Sequence, residues 1–321
     1  MAESIHEQIR RKIQASRRIL VATHMRPDGD AIGSLLGLGL ALQDTGKIVQ
    51  MISTDGVPLS YRHLPGSQEV IQQPDGEVDM VIILDCSDIH RAGKSLNGFG
   101  APDLNVDHHI TNLNFGRLNL VDTKAVATAE IVAENLSNWG LSLTPAVAAA
   151  LLTGLITDTL GFRTFNMTPK ALRLAADLME AGAELPELYM RALVQRSFEA
   201  MRFWGSGLSR LEREGQIVWA TLSLADRQTA GYSGRDDADL INALSAISDA
   251  VISIIFVEQP NGKVKVSWRS QPGIDVSAIA LKFGGGGHVS ASGAELKGDL
   301  DRVREDVIRE TSKILEEKVI V

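Results

Sequence analysis

The chain has 321 residues, 44% hydrophobic and 22% charged, and a formal net charge of −8. This is ordinary globular usage that excludes long disordered tracts, and a length beyond the usual ~100–200 residues per domain makes two domains the natural expectation. The acidic balance excludes a general affinity for long nucleic acid, which needs cationic groups along an extended phosphate track, but it allows a short anionic substrate if cations are gathered locally.

The first twenty residues mix charge with apolar residues at helical spacing and hold no continuous signal-peptide core, so secretion is not expected. No apolar run reaches the ~18 uncharged residues needed to cross a bilayer. The nearest candidate, residues 146–156, meets Asp158. A single cysteine, Cys86, cannot form an internal disulfide, and the expected compartment is the reducing cytoplasm.

Residues 18–23, RILVAT, are the first apolar run expected to form a buried strand. Residues 31–42 have the composition of a helix, and residues 47–53, 80–86 and 103–109 read as further strands. Strand alternating with helix predicts an α/β domain whose parallel sheet carries helices on both faces, with chemistry at the carboxyl ends of the strands. Pro145 after Thr144 marks a helix start, and the apolar AVAAALLTGLI that follows delivers Asp158 at its end.

Helical patterns continue through residues 169–179 and 186–204. The expected division is a first domain over residues 1–195, a linker over 196–207 and a second domain over 208–321. In the last, residues 216–223, 250–258 and 263–270 read as strands, the latter two joined by the hairpin signal Pro260-Asn261-Gly262. This predicts a smaller α/β domain with a mixed sheet. Asp275 suits the cap of a short helix, and Val303, Val307, Ile308, Thr311, Ile314 and Leu315 make the apolar face of a final one.

Directly after the first strand, His24, Asp28 and Asp30 place an imidazole and two carboxylates on one tight loop, although Pro27-Asp28-Gly29 alone reads as a turn entering a helix. Later strands end at Asp85 and at Asp107-His108-His109, and the apolar helix ends at Asp158. Carboxylates brought together at a sheet end repel and raise one another's pKa values unless cations compensate them. Two divalent ions would neutralise four aspartates. Imidazole nitrogens mixed with carboxylate oxygens suit manganese, our first choice, with magnesium or cobalt as alternatives. Two such ions ~3.5–4 Å apart clamp a phosphate, make hydroxide available at neutral pH and stabilise a leaving oxygen, which is the chemistry of phosphate-ester hydrolysis. No Gly-x-Ser-x-Gly elbow supplies a serine nucleophile.

His24 through Ser34, Asp85, Asp107-His108-His109 and Thr157-Asp158-Thr159 resemble the successive motifs of the DHH phosphoesterase superfamily. Residues 283–293, FGGGGHVSASG, resemble the glycine-rich signature of the DHH-associated substrate domain of nanoRNases and RecJ exonucleases. The resemblance covers both halves. It implies one metal held by His24, Asp28 and Asp85 and another held by Asp30, Asp85, His108 and Asp158, with Asp85 bridging. It also implies that Asp107 orients a histidine, that His109 contacts or protonates the reacting phosphate, and that Arg269 grips a nucleotide phosphate with help from Ser270 or Lys282.

Arg91 reads either as a phosphate contact or as a solvated arginine. Asp88 reads as a helix cap, and Cys86 as a packed side chain. Gly284, Gly285, Gly286 and Gly287 read as a loop whose backbone approaches a ligand closely, with His288 stacking on a base or binding phosphate. Trp268, alternating with Arg269, is expected in the core.

The expected active site lies in a cleft between the two domains. The substrates implied by the resemblance are RNA fragments a few residues long and 3′-phosphoadenosine 5′-phosphate (PAP). A phosphodiesterase acting on linear or cyclic diadenylate is the runner-up. A RecJ-like exonuclease would bring an additional nucleic-acid module and a basic track, and a family II inorganic pyrophosphatase would lack the glycine-rich signature. A nucleotide sensor without catalysis would leave metal positions unfilled, whereas each is filled here.

Overall fold

The apolar runs of the first half become β1 (Arg18–Ala22), β2 (Ile48–Ile52), β3 (Met80–Leu84) and β4 (Leu104–Asp107), joined by β5 (Leu118–Val121), which no strong apolar run announces. In the computed structural model, which describes residues 3–96 and 98–318, these strands form one wholly parallel sheet in the order β2-β1-β3-β4-β5. The chain divides into two units, Met1–Gln195 and Arg196–Val321.

Among the described residues, the first unit has six α-helices: α1 (Ile5–Ala15), α2 (Gly29–Gln43), α3 (Thr128–Asn135), α4 (Pro145–Asp158), α5 (Pro169–Glu180) and α6 (Leu185–Tyr189). All six contribute to one apolar cluster, which takes Ile19 and Val21 of β1 and Ile82 and Leu84 of β3. The alternate residues Leu20, Ala22, Val81 and Ile83 face a second cluster with Cys86, Ala92 and Leu96. This other face departs from the expected helical cover. It is closed by the 3₁₀ turns Ile89–Ala92 and Lys94–Leu96, because the connection from β3 to β4 is rich in turn formers such as Asp88, Gly93, Gly100 and Pro102.

α2 and α4 are apolar nearly all round and pack against each other in the middle of the unit. Their approach is close enough to require glycine. A Cβ on Gly33 would lie 2.5 Å from the Ala150 carbonyl oxygen and 2.7 Å from the Gly154 nitrogen. Thr144 caps α4 through Val147 N–H, with Pro145 in the first turn, so the helix runs from a defined start to Asp158 at its end.

Residues 186–204 are not one helix. α6 passes into a π-helical turn at Met190–Val194, Gln195 is extended, and α7 (Phe198–Leu208) restarts with the Ser197 hydroxyl accepting from Ala200 N–H at 3.1 Å. The stretch read as a linker is therefore largely helical. Phe203 of α7 is fully buried among Ala220, Leu222, Leu240 and Ile255 of the second unit.

That unit continues with β6 (Glu212–Glu214), β7 (Ile217–Leu222), α8 (Leu224–Ala230), α9 (Leu240–Leu244), β8 (Ile252–Gln259), β9 (Lys263–Ser270), α10 (Ser277–Lys282), β10 (Gly286–His288), β11 (Ala291–Lys297) and α11 (Leu300–Lys318). The strands form a mixed sheet in the order β10-β11-β9-β8-β7-β6, in which only β7 and β8 run parallel. Asp275 caps α10 through Ser277 N–H at 2.9 Å. Trp268 is fully buried and donates its indole N–H to the Thr311 hydroxyl at 3.3 Å. Among the described residues no helix is long and apolar enough to cross a membrane.

The contact between α2 and α4 supports a direct test. Gly33→Ala is expected to lower stability by about 2 kcal/mol through overpacking against the Ala150 backbone. Urea melts of the two proteins measure this, and a change below about 0.5 kcal/mol would contradict so close an approach.

Candidate metal centre

The carboxyl ends of β1, β3 and β4 deliver their side chains to one region of the first unit. After β1, His24 donates Nδ1–H to the Met25 carbonyl at 2.8 Å, which turns Nε2 towards Asp85 Oδ2 at 3.5 Å. Asp28 caps α2, accepting from Ala31 N–H at 3.0 Å, and stays exposed. Asp30 is two residues further on and only 1% exposed.

Asp85 follows β3 with a φ of +52°, in the left-handed region that aspartate tolerates better than most side chains. This turn takes its carboxylate out of the sheet's alternation and aims it at the histidines. Asp85 is 1% exposed, and Oδ1 accepts from the Thr128 hydroxyl at 2.9 Å. Asp107 closes β4. Its Oδ1 accepts from His109 Nδ1–H at 2.7 Å and from His108 N–H at 2.8 Å, and its Oδ2 accepts from Asn112 Nδ2 at 2.6 Å. His108 donates Nδ1–H to the Ala125 carbonyl at 3.3 Å. Its Nε2 then faces Asp158 Oδ2 at 3.5 Å, Asp85 Oδ1 at 3.8 Å and Asp30 Oδ2 at 3.9 Å.

Among the described residues of the first unit, three groups of donor atoms result, each with all its atoms within 4.8 Å of one another: His24, Asp28 and Asp85; Asp30, Asp85 and His108; and Asp85, Asp107 and His109. Asp85 is common to all three. Arg91 is exposed, with NH1 3.4 Å from the Ser87 hydroxyl, and its charge acts on His24. Asp88 caps a 3₁₀ turn through His90 N–H at 2.9 Å. Cys86 is packed, and burial pushes its thiol up to about 12, away from the thiolate form that binds metal.

Sequence reasoning missed the groups that hold these side chains. Asp30 caps α3 from a distance: its oxygens accept from Thr128 N–H at 2.6 Å and Ala129 N–H at 2.9 Å, where Ala127 at the cap position offers no acceptor of its own. Nothing local in the sequence signals a cap supplied from α2. Asn112, which pins Asp107, carries no motif signal either.

The electrostatics follow from so many acids away from water. Burial raises the pKa of Asp30 well above the ordinary carboxyl range, and Asp85 and Asp158 raise it further. Burial also lifts Asp158, to about 6, against the pull of His108. Burial opposes charge on Asp85 too, but His24, His109 and His108 outweigh it and hold this carboxyl below its usual value. For His24 burial is outweighed by Asp85 and Asp28, and its pKa is raised. For His108 burial is outweighed by Asp158, Asp30 and Asp85, which lift its pKa to about 9. His24 and His108 thus hold a proton more firmly than a free imidazole where the acids converge. Carboxylate oxygens and imidazole nitrogens at this spacing fit a divalent metal ion.

The substrate residues expected from sequence belong to the second unit. By strand register Arg269 stands opposite Ala291, and Ala291 opposite His288, so Arg269 and His288 share one sheet face with a small side chain between them. Ser270 is on the other face and donates its hydroxyl to the Ile274 carbonyl at 2.7 Å. Lys282 lies 3.9 Å from Glu310.

The glycine run is only partly a loop, since Gly286 and Gly287 are in β10. A Cβ on Gly285 would lie 2.1 Å from the Gly293 carbonyl oxygen, and one on Gly287 2.6 Å from that of Ala291. These two glycines serve strand packing, whereas Gly284 and Gly286 have open space at the Cβ position.

Residues 18–155 match the DHH family, N-terminal domain, and residues 219–319 match the DHHA1 domain. The chain is 39% identical over 298 residues to the bifunctional oligoribonuclease and PAP phosphatase NrnA of Thermus thermophilus, covering 90% of this chain and 88% of that protein. It is 27% identical over 307 residues to the protein of the same name from Bacillus subtilis, covering 92% and 96%. An exopolyphosphatase-related protein from Bacteroides fragilis shares the fold with a TM-score of 0.87 at 23% identity, covering 98% of this chain and 96% of its own. The chain belongs to the DHH family of phosphoesterases and is a hydrolase of that family.

A metal-binding imidazole must be neutral, so an ion entering beside His108 at pH 7 has to expel a proton. Calorimetric titration of ion-free protein with Mn²⁺ at pH 7 is expected to show heats that vary with the ionisation heat of the buffer. The affinity should rise with pH up to about 9, where His108 loses its proton unaided, and then level off. An affinity that is flat between pH 7 and that point would contradict the assignment of His108.

Proposed function

We propose that this protein is a two-metal phosphoesterase that hydrolyses short oligoribonucleotides and PAP to nucleoside monophosphates. The observation that carries the reading is the convergence of three donor clusters on Asp85. One ion is assigned to His24, Asp28 and Asp85, and the second to Asp30, Asp85, His108 and Asp158. Manganese is the ion the mixed oxygen and nitrogen donors favour. Two such ions supply Lewis-acid stabilisation of phosphoryl oxygens and an acidified water.

The remaining steps belong to side chains of the chain itself. Asp107 holds the Nδ1–H of His109 at 2.7 Å, fixing the ring and presenting Nε2 as the atom that hands a proton to the leaving oxygen. Arg91 is assigned to a non-bridging phosphate oxygen. In the second unit Arg269, His288 and the open backbone at Gly284 and Gly286 take the nucleotide part, with Arg269 on phosphate and His288 stacking on the base. These few cations suffice for a short substrate and do not form a track for long nucleic acid. The lone thiol, Cys86, is buried and unpaired with another cysteine, which suits the reducing cytoplasm as the place of action.

Two substitutions separate the roles. Asp85→Ala removes the donor shared by those three clusters and should lower kcat at least about 10³-fold at saturating Mn²⁺. Arg269→Ala should raise KM about tenfold while leaving kcat within about threefold. Steady-state kinetics with diribonucleotides, PAP and cyclic dinucleotides as competing substrates measure both effects. Preference for a cyclic dinucleotide, or equal small effects from the two variants, would overturn this reading.

A further inference from the structure

We propose that Glu130, anchored by Lys170, is a positioning residue for the metal centre. This rests on the reading of that centre given above.

Glu130 is fully buried yet belongs to none of the donor clusters. A carboxylate taken out of water persists only where its oxygens are engaged. Oε2 accepts from Val126 N–H at 2.6 Å, while Oε1 accepts no hydrogen bond and is compensated by the Lys170 ammonium, whose Nζ lies 3.0 Å away. Lys170 of α5 is itself held by Glu134, also at 3.0 Å.

Residues 125–129, around Val126, support three of the assigned metal residues at once. The Ala125 carbonyl accepts from His108 at 3.3 Å, the Thr128 hydroxyl donates to Asp85 at 2.9 Å, and Thr128 and Ala129 donate N–H groups to Asp30 at 2.6 and 2.9 Å. A turn from Asp122 to Ala125 closes the start of the segment. Its middle is held by Glu130, whose side chain reaches back from the first turn of α3 as an acidic third residue does in a capping box. Displacement of Val126 would shift the hydrogen bonds to His108, Asp30 and Asp85 together.

The test uses full-length, ion-free protein titrated with Mn²⁺ by calorimetry, with thermal melts of each ion-free variant. Glu130→Ala should weaken Mn²⁺ binding about tenfold or more, the usual scale for residues that orient ligands. Glu130→Gln keeps an acceptor for Val126 N–H and should stay within about threefold of the parent. Glu134→Gln touches Lys170 but not the segment, and should leave affinity unchanged.

Where Glu130→Ala does not fold, Lys170→Met decides. It removes the anchor at a half-exposed position and should weaken Mn²⁺ binding about threefold or more. Affinity within twofold of the parent for both Glu130→Ala and Lys170→Met, with only the melts lowered, would reduce Glu130 to a folding role and overturn the proposal. Glutamine as damaging as alanine would overturn it too. Hydrolysis of diribonucleotide and PAP is measured separately: a parent that binds Mn²⁺ but cleaves neither defeats the proposed function, while the affinity order still judges Glu130. A parent that binds no Mn²⁺ defeats both.

Discussion

Asp30, Asp85 and Asp107 are almost wholly removed from water, and Asp158 closes on the same point through His108; Asp85 makes both Asp30 and Asp158 harder to ionise, and Asp158 does the same to Asp30. Everything around them offsets that charge. The first turn of α3 directs two N–H groups at Asp30, the Thr128 hydroxyl donates to Asp85, and three imidazoles lie among the acids. Divalent ions would complete the compensation and supply the reactivity that protein groups lack. The chemistry of the family and the stability of its site thus have one physical origin.

The same constraint shapes the fold. α2 carries Asp28 and Asp30 at its start and α4 carries Asp158 at its end, so the helices must lie close for their acids to meet. Backbone-to-backbone approach at Gly33 and Gly154 makes this possible, and Gly154 also abuts Asp30, where a Cβ would come within 2.8 Å of Oδ1. Strained backbone occurs at the site as well: Asp85 has positive φ, as do Leu160 and Phe162 just beyond Asp158.

In the second unit, alternation along β9 separates roles by side. Val264, Val266 and Trp268 go to the core, while Arg269 rises on the opposite face with His288 two strands away. The glycine run shows how one motif answers two needs. Gly285 and Gly287 let a short edge strand lie against β11, and Gly284 and Gly286 leave open backbone beside His288. Sequence pattern shows the run but not this division, because which glycine lacks room for a side chain depends on a neighbouring strand.

Much of the architecture was legible in the chain. Short apolar runs interleaved with a helical pattern imply a parallel sheet, because strands buried on both faces need apolar residues throughout. Polar residues that end such runs, His24, Asp85 and Asp107 to His109, mark the sheet end where chemistry collects. The 3₁₀ cover on one sheet face and the break at Gln195 were not legible, since short elements depend on tertiary contacts more than on local preference.

By itself, the sequence determined which donor types are available and at which strand and helix ends they stand, because hydrophobic periodicity and turn chemistry are local properties. Only the tertiary structure decided which of them share an ion-sized space and what holds them there. Asp30 capping α3, Thr128 bound to Asp85, Asn112 on Asp107 and Glu130 bracing Val126 all join residues through hydrogen bonds whose partners are chosen by packing. The charge that these contacts offset exists only once the acids have been brought together.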